Sequence, residues 1–272
     1  MAAGRILVLL CLSVLLGFSS GCAALASAGT DFNGLTEEQL QETFRDYDAS
    51  FVLLDKSSGK FLRLRPAACD KRLSPCSTFK IFNSLAGLDT AVVRNENHTF
   101  VWDGTKYDIS DWNRDQTLQS AVSNSVVWYF QRVASLVGEE RMKKFIDKVG
   151  YGNRDISGGI TKFWLGDSLK ISANEQVLFL SRLLDDDLPF SPRSTAIVRG
   201  MLRLDQTANG TLYGKTGSHQ IAGKDVLGWF VGYVVRPGKV YVFASNIQAA
   251  DRAYGKKARQ LTESILRAVS IL

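Results

Sequence analysis

A serine and a lysine lie three residues apart in the stretch Ser77-Thr78-Phe79-Lys80. The residues that follow have helical apolar spacing, and they are Ile81, Phe82, Leu85, Ala86 and Leu88. Residues three apart share one face of a helix, so the lysine amine can reach the serine hydroxyl. An apolar face also desolvates the amine, which lowers its pKa and leaves neutral amine available as a base. The pair is therefore suited to acyl transfer, with Ser77 as nucleophile and Lys80 as activating base.

The predicted helix start adds a second part of this chemistry. Free N–H groups and the positive end of the helix dipole lie there, and they can stabilise an oxyanion that forms on an attacked carbonyl. The Ser-x-x-Lys spacing alone is not specific, because Ser57 and Lys60 match it inside a predicted hairpin turn. For the motif by itself, the alternative is a helix-capping serine beside a lysine that extends to solvent.

Two further motifs supply groups that a substrate could contact. Lys215-Thr216-Gly217 lies on a predicted strand, where the glycine lets a substrate approach and the other two side chains can hold a carboxylate. Ser125, in the segment SVVWYFQ, is a hydroxyl on an otherwise apolar predicted helix and needs a hydrogen-bonding partner. It could relay a proton between Lys80 or Lys215 and a leaving nitrogen. Ser120-Ala121-Val122 matches the same loose pattern, so only the aromatic continuation distinguishes Ser125.

Strand patterns at both ends of the chain and helical patterns in its middle predict how these motifs are positioned. The predicted strands cover residues 50–56, 60–65, 210–218, 226–235 and 239–247, and the predicted helices cover residues 35–48, 78–91, 117–135, 138–150, 174–186, 193–203 and 256–271. This order predicts an α+β fold in which the N- and C-terminal segments form one antiparallel sheet with terminal helices. A helical subdomain of about residues 76–203 would be inserted into a sheet region of about residues 29–75 and 204–272.

The N-terminus has the pattern of a secretory signal peptide over residues 1–28. After an arginine, residues 6–18 form an apolar run that is shorter than the ~20 residues of a membrane-spanning helix. Ala26-Ser27-Ala28 supplies a small-x-small cleavage site, so we expect a mature catalytic chain of residues 29–272 without a transmembrane span. The protein would then be exported to the periplasm or the medium. A small pair before Cys22 leaves lipid attachment at that cysteine as an alternative.

The composition argues against several other functions. The chain has 272 residues, of which 45% are hydrophobic and 22% charged, as in ordinary globular proteins. Its formal net charge of +6 comes from basic residues scattered among acidic ones, which indicates a solvated surface rather than a nucleic-acid site. With two histidines and no Cys-x-x-Cys, neither a histidine triad nor a zinc site is predicted. His219 is expected in an exposed loop after the Lys-Thr-Gly strand.

Two cysteines, Cys69 and Cys76, would remain after signal cleavage. An oxidising compartment permits a disulfide between them. The alternative is two free or buried thiols, because Cys76 would have to reach backwards across Pro75 with suitable geometry. The sequence leaves both possibilities open.

Six motifs in a fixed order carry a resemblance to a known family. They are STFK at residues 77–80, SVVWYFQ at 125–131, YGN at 151–153, DISGGITKFWLGDSLKIS at 155–172, KTGS at 215–218 and GWFVGY at 228–233. Together they resemble the signature set of class D serine β-lactamases, and the likeness runs from about residue 50 to residue 247. The fold that this family implies, the serine β-lactamase/D,D-peptidase fold, agrees with the α+β pattern above.

The resemblance implies a mechanism. Ser77 would attack the carbonyl of a β-lactam and form an acyl-enzyme, with the oxyanion held by the backbone N–H groups of Ser77 and Ser218. Lys80 would carry a CO2-derived carbamate that serves as general base for acylation and deacylation, and no metal or other cofactor is implied. Trp164 matches the residue that hydrogen-bonds the carbamate, and Val127 one that lines its dry pocket. The full set of implied site residues is Ser77, Lys80 and Ser125 as catalytic, with Val127, Trp164, Lys215, Thr216, Gly217 and Ser218 as substrate-binding.

The resemblance also implies a substrate class: the protein would hydrolyse penicillins and some cephalosporins. One position departs from the family pattern, since the arginine that binds the substrate carboxylate falls on Ala258, between Lys257 and Arg259. Lys215, Thr216 and Ser218 could do more of that work, or a neighbouring basic side chain could substitute. Two alternatives use the same serine and lysine: a β-lactam sensor domain that stays acylated, and a cell-wall D,D-peptidase. Nothing in the sequence indicates an oligomeric state.

Overall fold

The computed structural model describes Met1 and residues 34–272. A six-stranded antiparallel sheet runs through this part of the chain in the order β2-β1-β8-β7-β6-β5. The strands are β1 Asp48–Asp55, β2 Lys60–Leu64, β3 Thr99–Phe100, β4 Gln116–Thr117, β5 Arg203–Gln206, β6 Thr211–Ile221, β7 Lys224–Arg236 and β8 Lys239–Gln248, with β3 and β4 forming a separate pair. The pairing of β1 with β8 joins the N-terminal hairpin to the C-terminal strands, which confirms the predicted α+β sheet.

The helices of the described residues cover both faces of this sheet. They are α1 Glu37–Thr43, α2 Pro66–Asp70, α3 Lys80–Asp89, α4 Leu118–Ser123, α5 Val127–Val137, α6 Glu139–Val149, α7 Ala173–Leu184, α8 Pro192–Met201 and α9 Gly255–Ala268. Helices α2 to α8 lie between β2 and β5 in the chain, which agrees with a helical insertion. The boundaries proposed for the two regions, at about residues 76 and 203, stay predictions.

Alternation along β7 divides the buried residues between two cores. Trp229, Val231 and Tyr233 face the larger core, which also holds the apolar sides of α3, α5 and α7. Phe230 and Val234 face a smaller core beneath α9 and the N-terminal residues around α1. Because successive side chains of a strand point to opposite faces, a strand buried on both faces reads as a continuous apolar run. The larger core is the one that carries the residues of the Ser-x-x-Lys motif.

The predicted helix over residues 117–135 is wrong in one respect, because it is two helices. Ser125 lies between α4 and α5 with a φ of 57°, in the left-handed region that an L-residue rarely adopts and a helix cannot contain. Val126 is extended before α5 begins. Ser125 is therefore on a turn, not on an apolar helix. The other predicted helices differ from the observed ones mainly at their ends. The first was predicted to reach residue 48, but α1 ends at Thr43 and Asp48 belongs to β1.

Cys69 and Cys76 are separate, buried thiols, so the disulfide that the sequence left open does not form in this structure. The Cys69 thiol donates to the carbonyl of Leu64 at 3.1 Å. The signal peptide, its cleavage site and Cys22 lie outside the described residues. In the part that the structure does describe, no helix combines the length and apolar character needed to cross a membrane.

Candidate active site

Ser77 lies in a short 3₁₀ turn, Cys76–Phe79, that leads directly into α3. Lys80 is the first residue of α3, and its Nζ donates a hydrogen bond to Ser77 Oγ over 2.7 Å. Cys76, just before the serine, has a φ of 49°, a left-handed conformation that often marks functional turns when a non-glycine residue adopts it. The serine hydroxyl and the lysine amine therefore meet, as their spacing predicts.

Lys80 is fully buried, which is rare for a lysine. Within residues 34–272 no carboxylate forms an ion pair with Lys80, and its Nζ lies 5.5 Å from the ring centroid of Phe130. Burial lowers the pKa of Lys80 well below its ordinary value, and the positive charge of Lys215 lowers it further. The Lys80 amine therefore reaches its neutral form, which can accept a proton, more readily than the amine of an exposed lysine does.

A second lysine and hydroxyl pair joins the first. Lys215 lies on β6 with 5% of its surface exposed, and its Nζ donates to Ser125 Oγ over 3.0 Å. Burial lowers the Lys215 pKa to about 8. Its charge acts on Lys80, so the two pairs adjoin. Ser125, on the turn between α4 and α5, thus lies in the same site as Ser77, on the 3₁₀ turn before α3.

The strand β6 passes very close to the Ser77 turn. A Cβ atom added at Gly217 would lie 3.0 Å from the carbonyl oxygen of Pro75 and 3.2 Å from the backbone nitrogen of Ser77. Both distances are tighter than ordinary contacts, so only glycine lets the strand approach this closely. The close approach brings the Ser77 nitrogen next to the backbone of residues 217 and 218. The resemblance names the N–H groups of Ser77 and Ser218 as the two oxyanion donors.

Trp164 is fully buried, and its ring stacks on that of Phe79 with 5.7 Å between centroids. Its indole Nε1 has no hydrogen-bond partner among the described residues. A buried donor without an acceptor costs about 1–3 kcal/mol, so an acceptor oxygen placed beside this N–H would be stabilised. Val127 starts α5 and is half-buried, immediately after Ser125 and Val126.

The other residues assigned to substrate binding lie on β6 beside the start of α9. Ser218 Oγ accepts a hydrogen bond from the N–H of Gly255 at 2.9 Å, and Thr216 contacts the same glycine. Ala258 is fully buried in the smaller core and offers no polar group to a ligand. Its neighbour Arg259 is paired with Glu263 at 2.6 Å. Lys257, adjacent to Ala258 in the chain, forms no ion pair among the described residues.

Two features at this site escape the sequence reading. His219 was expected in a loop, but it continues β6, where it pairs with Leu227 of β7 and packs its ring against Gly166. That expectation is wrong because β6 extends to Ile221. The contact between Gly255 and Ser218 joins segments far apart in the chain, and no local motif predicts it. Residues 34–272 hold no cluster of three or more histidine, cysteine or acidic residues that could bind a metal.

Comparison with known proteins supports a single family. The profile described as "Penicillin binding protein transpeptidase domain" matches residues 27–267. A relative named "Probable beta-lactamase YbxI", from Bacillus subtilis (strain 168), is 38% identical over 257 residues, which cover 94% of this chain and 93% of that protein.

Solved structures give the same result. "Class D beta-lactamase BAT-2" superposes with a TM-score of 0.82 at 38% identity, covering 88% of this chain and 99% of that one. The "C-terminal domain of the Bacillus licheniformis BlaR penicillin-receptor" superposes with a TM-score of 0.81 at 34% identity, covering 86% and 95%. The similarity therefore extends to an enzyme and to a receptor that share one fold.

Proposed function

Because this chain belongs to the penicillin-binding protein transpeptidase family, and within it to the class D β-lactamases, we propose that it hydrolyses the β-lactam amide of penicillins and related antibiotics. One observation carries the proposal: a fully buried lysine amine lies 2.7 Å from the Ser77 hydroxyl. A serine with such a base beside it is an activated nucleophile.

Acylation follows from the positions of the protein's own groups. The neutral Lys80 side chain can take the proton of Ser77 while Oγ attacks the lactam carbonyl. The N–H groups of Ser77 and Ser218 would stabilise the negative charge on the carbonyl oxygen. Ser125, held by Lys215, would pass a proton to the lactam nitrogen as its bond to the carbonyl carbon breaks, and would recover a proton from the protonated Lys80 or from Lys215. Water then cleaves the Ser77 ester and releases the ring-opened acid.

Lys80 and Trp164 fit the carbamate that the family implies. A neutral amine can add to CO2 with loss of a proton, and the buried Lys80 amine has no competing partner except Ser77. Trp164 offers an unpaired indole N–H in the same core, which is the donor that a carbamate oxygen would need. A carbamate on Lys80, when formed, would supply an anionic oxygen as the general base in place of the amine nitrogen.

The substrate carboxylate is proposed to bind beside β6. Lys215 supplies a positive charge, and Thr216 and Ser218 supply hydroxyl groups on the same strand. Lys257 is a further candidate, since it forms no ion pair in the described part of the chain. Ala258 cannot contribute, so this chain must anchor the carboxylate without an arginine at that position.

We expect Trp164→Phe to weaken the carbamate. Phenylalanine keeps an aromatic ring but loses part of the indole and its unpaired N–H, so less carbamate should form and turnover should fall about tenfold or more. Carbon-13 NMR with labelled bicarbonate should show a carbamate resonance in the wild type that is reduced in the variant. Trp229→Phe is the matched control, since Trp229 is equally buried and its Nε1 donates to Ser74. An unchanged resonance in Trp164→Phe would contradict the assignment.

The rate should depend on the charge of Lys215. Burial gives this lysine a pKa of about 8, so it is charged below that pH and loses its charge as the pH rises through it. Binding of the substrate carboxylate should weaken in the same range, and kcat/KM should fall with an apparent pKa of about 8. The measurement is kcat/KM for benzylpenicillin against pH. In Lys215→Arg, which stays charged, this alkaline decrease should move upward; an unchanged profile would show that another group controls it.

A second candidate function has one observation in its favour, the similarity to the BlaR penicillin-receptor domain. A receptor would be acylated at Ser77 by the same groups but would not hydrolyse the ester. Export as residues 29–272 belongs to either function, and N-terminal sequencing of the secreted protein tests the predicted start at Gly29.

Steady-state turnover separates the two functions. Purified residues 29–272 would be mixed with a chromogenic cephalosporin in the presence and absence of added bicarbonate. A hydrolase gives many turnovers per protein molecule, with a rate that rises with bicarbonate. At most one equivalent of product per protein molecule would rule out hydrolysis and favour the receptor.

A further inference from the structure

Thr78, between the nucleophile and Phe79, is buried, and its hydroxyl acts both as a hydrogen-bond donor and as an acceptor. The hydroxyl donates to the carbonyl of Pro75 over 2.7 Å, and the Thr78 N–H donates to the same oxygen over 3.1 Å. Gln176 of α7 donates from Nε2 to Thr78 Oγ1 over 2.9 Å. These contacts fix a single rotamer at Thr78.

The partners of Thr78 form a buried polar group inside an aromatic core. Gln176 is fully buried, and Tyr151 packs against Phe79 and Phe82 with ring centroids 5.4 and 5.2 Å away. Gln176 Oε1 and the Tyr151 hydroxyl have no well-aligned partner in residues 34–272. They are nevertheless neighbours: burial raises the Tyr151 pKa, and hydrogen bonding with Thr78 and Gln176 opposes the rise. The Tyr151 hydroxyl therefore adjoins Thr78 and Gln176.

The other side of Thr78 faces the strand that carries the oxyanion donor. A Cβ built at Gly217 lies 3.3 Å from Thr78 Cγ2, close to its contacts with Pro75 and the Ser77 nitrogen. The rotamer that places Oγ1 on Gln176 thus places the methyl group on Gly217. Thr78 and the carbonyl of Pro75 form the surface against which β6 rests, so they set the distance between the Ser77 N–H and the backbone of residues 217–218.

We propose that Thr78 and Gln176 are positioning residues that set the width of the oxyanion hole between Ser77 and β6. The proposal rests on the acylation chemistry of the proposed function. An apolar side chain of the same shape could fill the space of Thr78, but it would leave Gln176 Nε2 without its acceptor, which costs stability. It would also remove the side-chain hydrogen bond to the Pro75 carbonyl and leave only the one from the Thr78 N–H. Displacement of an oxyanion donor by a fraction of an ångström weakens the transition state far more than the ground state.

The test is Thr78→Val, which keeps the shape and removes the hydroxyl. Two quantities report on the hole: the rate constant of acylation by a fluorescent penicillin, and the affinity for phenylboronic acid, whose tetrahedral adduct with serine occupies the hole. Both should decrease in parallel by about 10- to 100-fold. Thr78→Ser, which keeps the hydroxyl, should lose much less of either. Gln176→Met should reproduce the loss if Thr78→Val fails to fold.

The matched control is Thr262→Val in the smaller core. Thr262 is also fully buried, and its hydroxyl is hydrogen-bonded to Ser245 at 2.6 Å, but it lies away from the site. It should lower Tm without changing acylation or boronate affinity. The proposal is overturned if folded Thr78→Val and Gln176→Met stay within about twofold of wild type in both quantities. Neither quantity needs deacylation, so a protein that is acylated but does not turn over refutes the proposed hydrolysis and still tests this inference.

Discussion

Replacing Lys80 with methionine should lower kcat/KM for benzylpenicillin about 10³-fold and leave the fold intact. The amine is the nearest proton acceptor to Ser77, at 2.7 Å, and no histidine or carboxylate stands beside it to take over. Methionine has a similar length and suits an apolar cavity. The measurement is steady-state hydrolysis together with circular dichroism and Tm.

The same substitution should stabilise the protein, with a definite pH dependence. The folded pKa of Lys80 lies below its unfolded value of about 10.4, so the unfolded state binds more protons between the two values and wild-type stability rises with pH across that range. The lysine therefore costs most below its folded pKa and nothing above about pH 10.4. Lys80→Met should raise stability near neutral pH by removing this cost, and the gain should shrink as the pH rises.

Lys60→Met is the matched control, because Ser57 and Lys60 have the same spacing in the turn between β1 and β2. Lys60 is exposed, so its removal should change neither hydrolysis nor the pH dependence of Tm. Hydrolysis by Lys80→Met at near the wild-type rate would refute the role of Lys80 as base. Loss of activity together with loss of the fold would instead mean that the amine is structural.

Ser125→Ala should have the second-largest effect, about a 10²-fold loss of the acylation rate. Its hydroxyl accepts from Lys215 at 3.0 Å and is the proposed route for a proton to the lactam nitrogen. The variant also leaves the buried Lys215 amine without this acceptor. If Ser125 delivers this proton, the loss of rate should be smaller for substrates whose leaving nitrogen is less basic, because such a nitrogen needs less help from an acid.

Ser120→Ala is the control for Ser125→Ala, since Ser120-Ala121-Val122 shares the loose Ser-x-Val pattern. Ser120 is the third residue of α4 and completes its capping box, since its hydroxyl accepts from the N–H of the N-cap residue Thr117 at 2.9 Å. Its loss should lower stability by about 1 kcal/mol and leave the acylation rate unchanged. Equal effects of the two substitutions on acylation would remove Ser125 from the mechanism.

The sequence predicts those parts of this molecule that depend on local pattern. Strand periodicity located β6, β7 and β8 to within a few residues, and helical spacing placed Ser77 and Lys80 on one turn. The family resemblance, rather than any spacing, singled out Trp164. Its unpaired indole N–H is visible only in the structure.

What the sequence does not predict depends on backbone conformation and on contacts between distant segments. The left-handed φ of Ser125 divides a stretch with an unbroken helical pattern. The sequence does not predict this turn because no glycine or proline marks it. The hydrogen bond from Gln176 to Thr78 joins residues 98 positions apart in the chain, and no local sequence pattern predicts it. His219 continues a strand because β7 pairs with it, which overrides its polar local context.

The central claim is that Ser77 forms an acyl-enzyme that this protein then hydrolyses. The most direct test follows the intact mass of the protein after mixing with a limited excess of benzylpenicillin, and maps the adduct by peptide sequencing. The account predicts an adduct on Ser77 that appears at once and disappears when the penicillin is consumed, leaving unmodified protein. An adduct that reaches one equivalent and persists after the penicillin is removed would contradict hydrolysis, and an adduct on another residue would contradict the site itself.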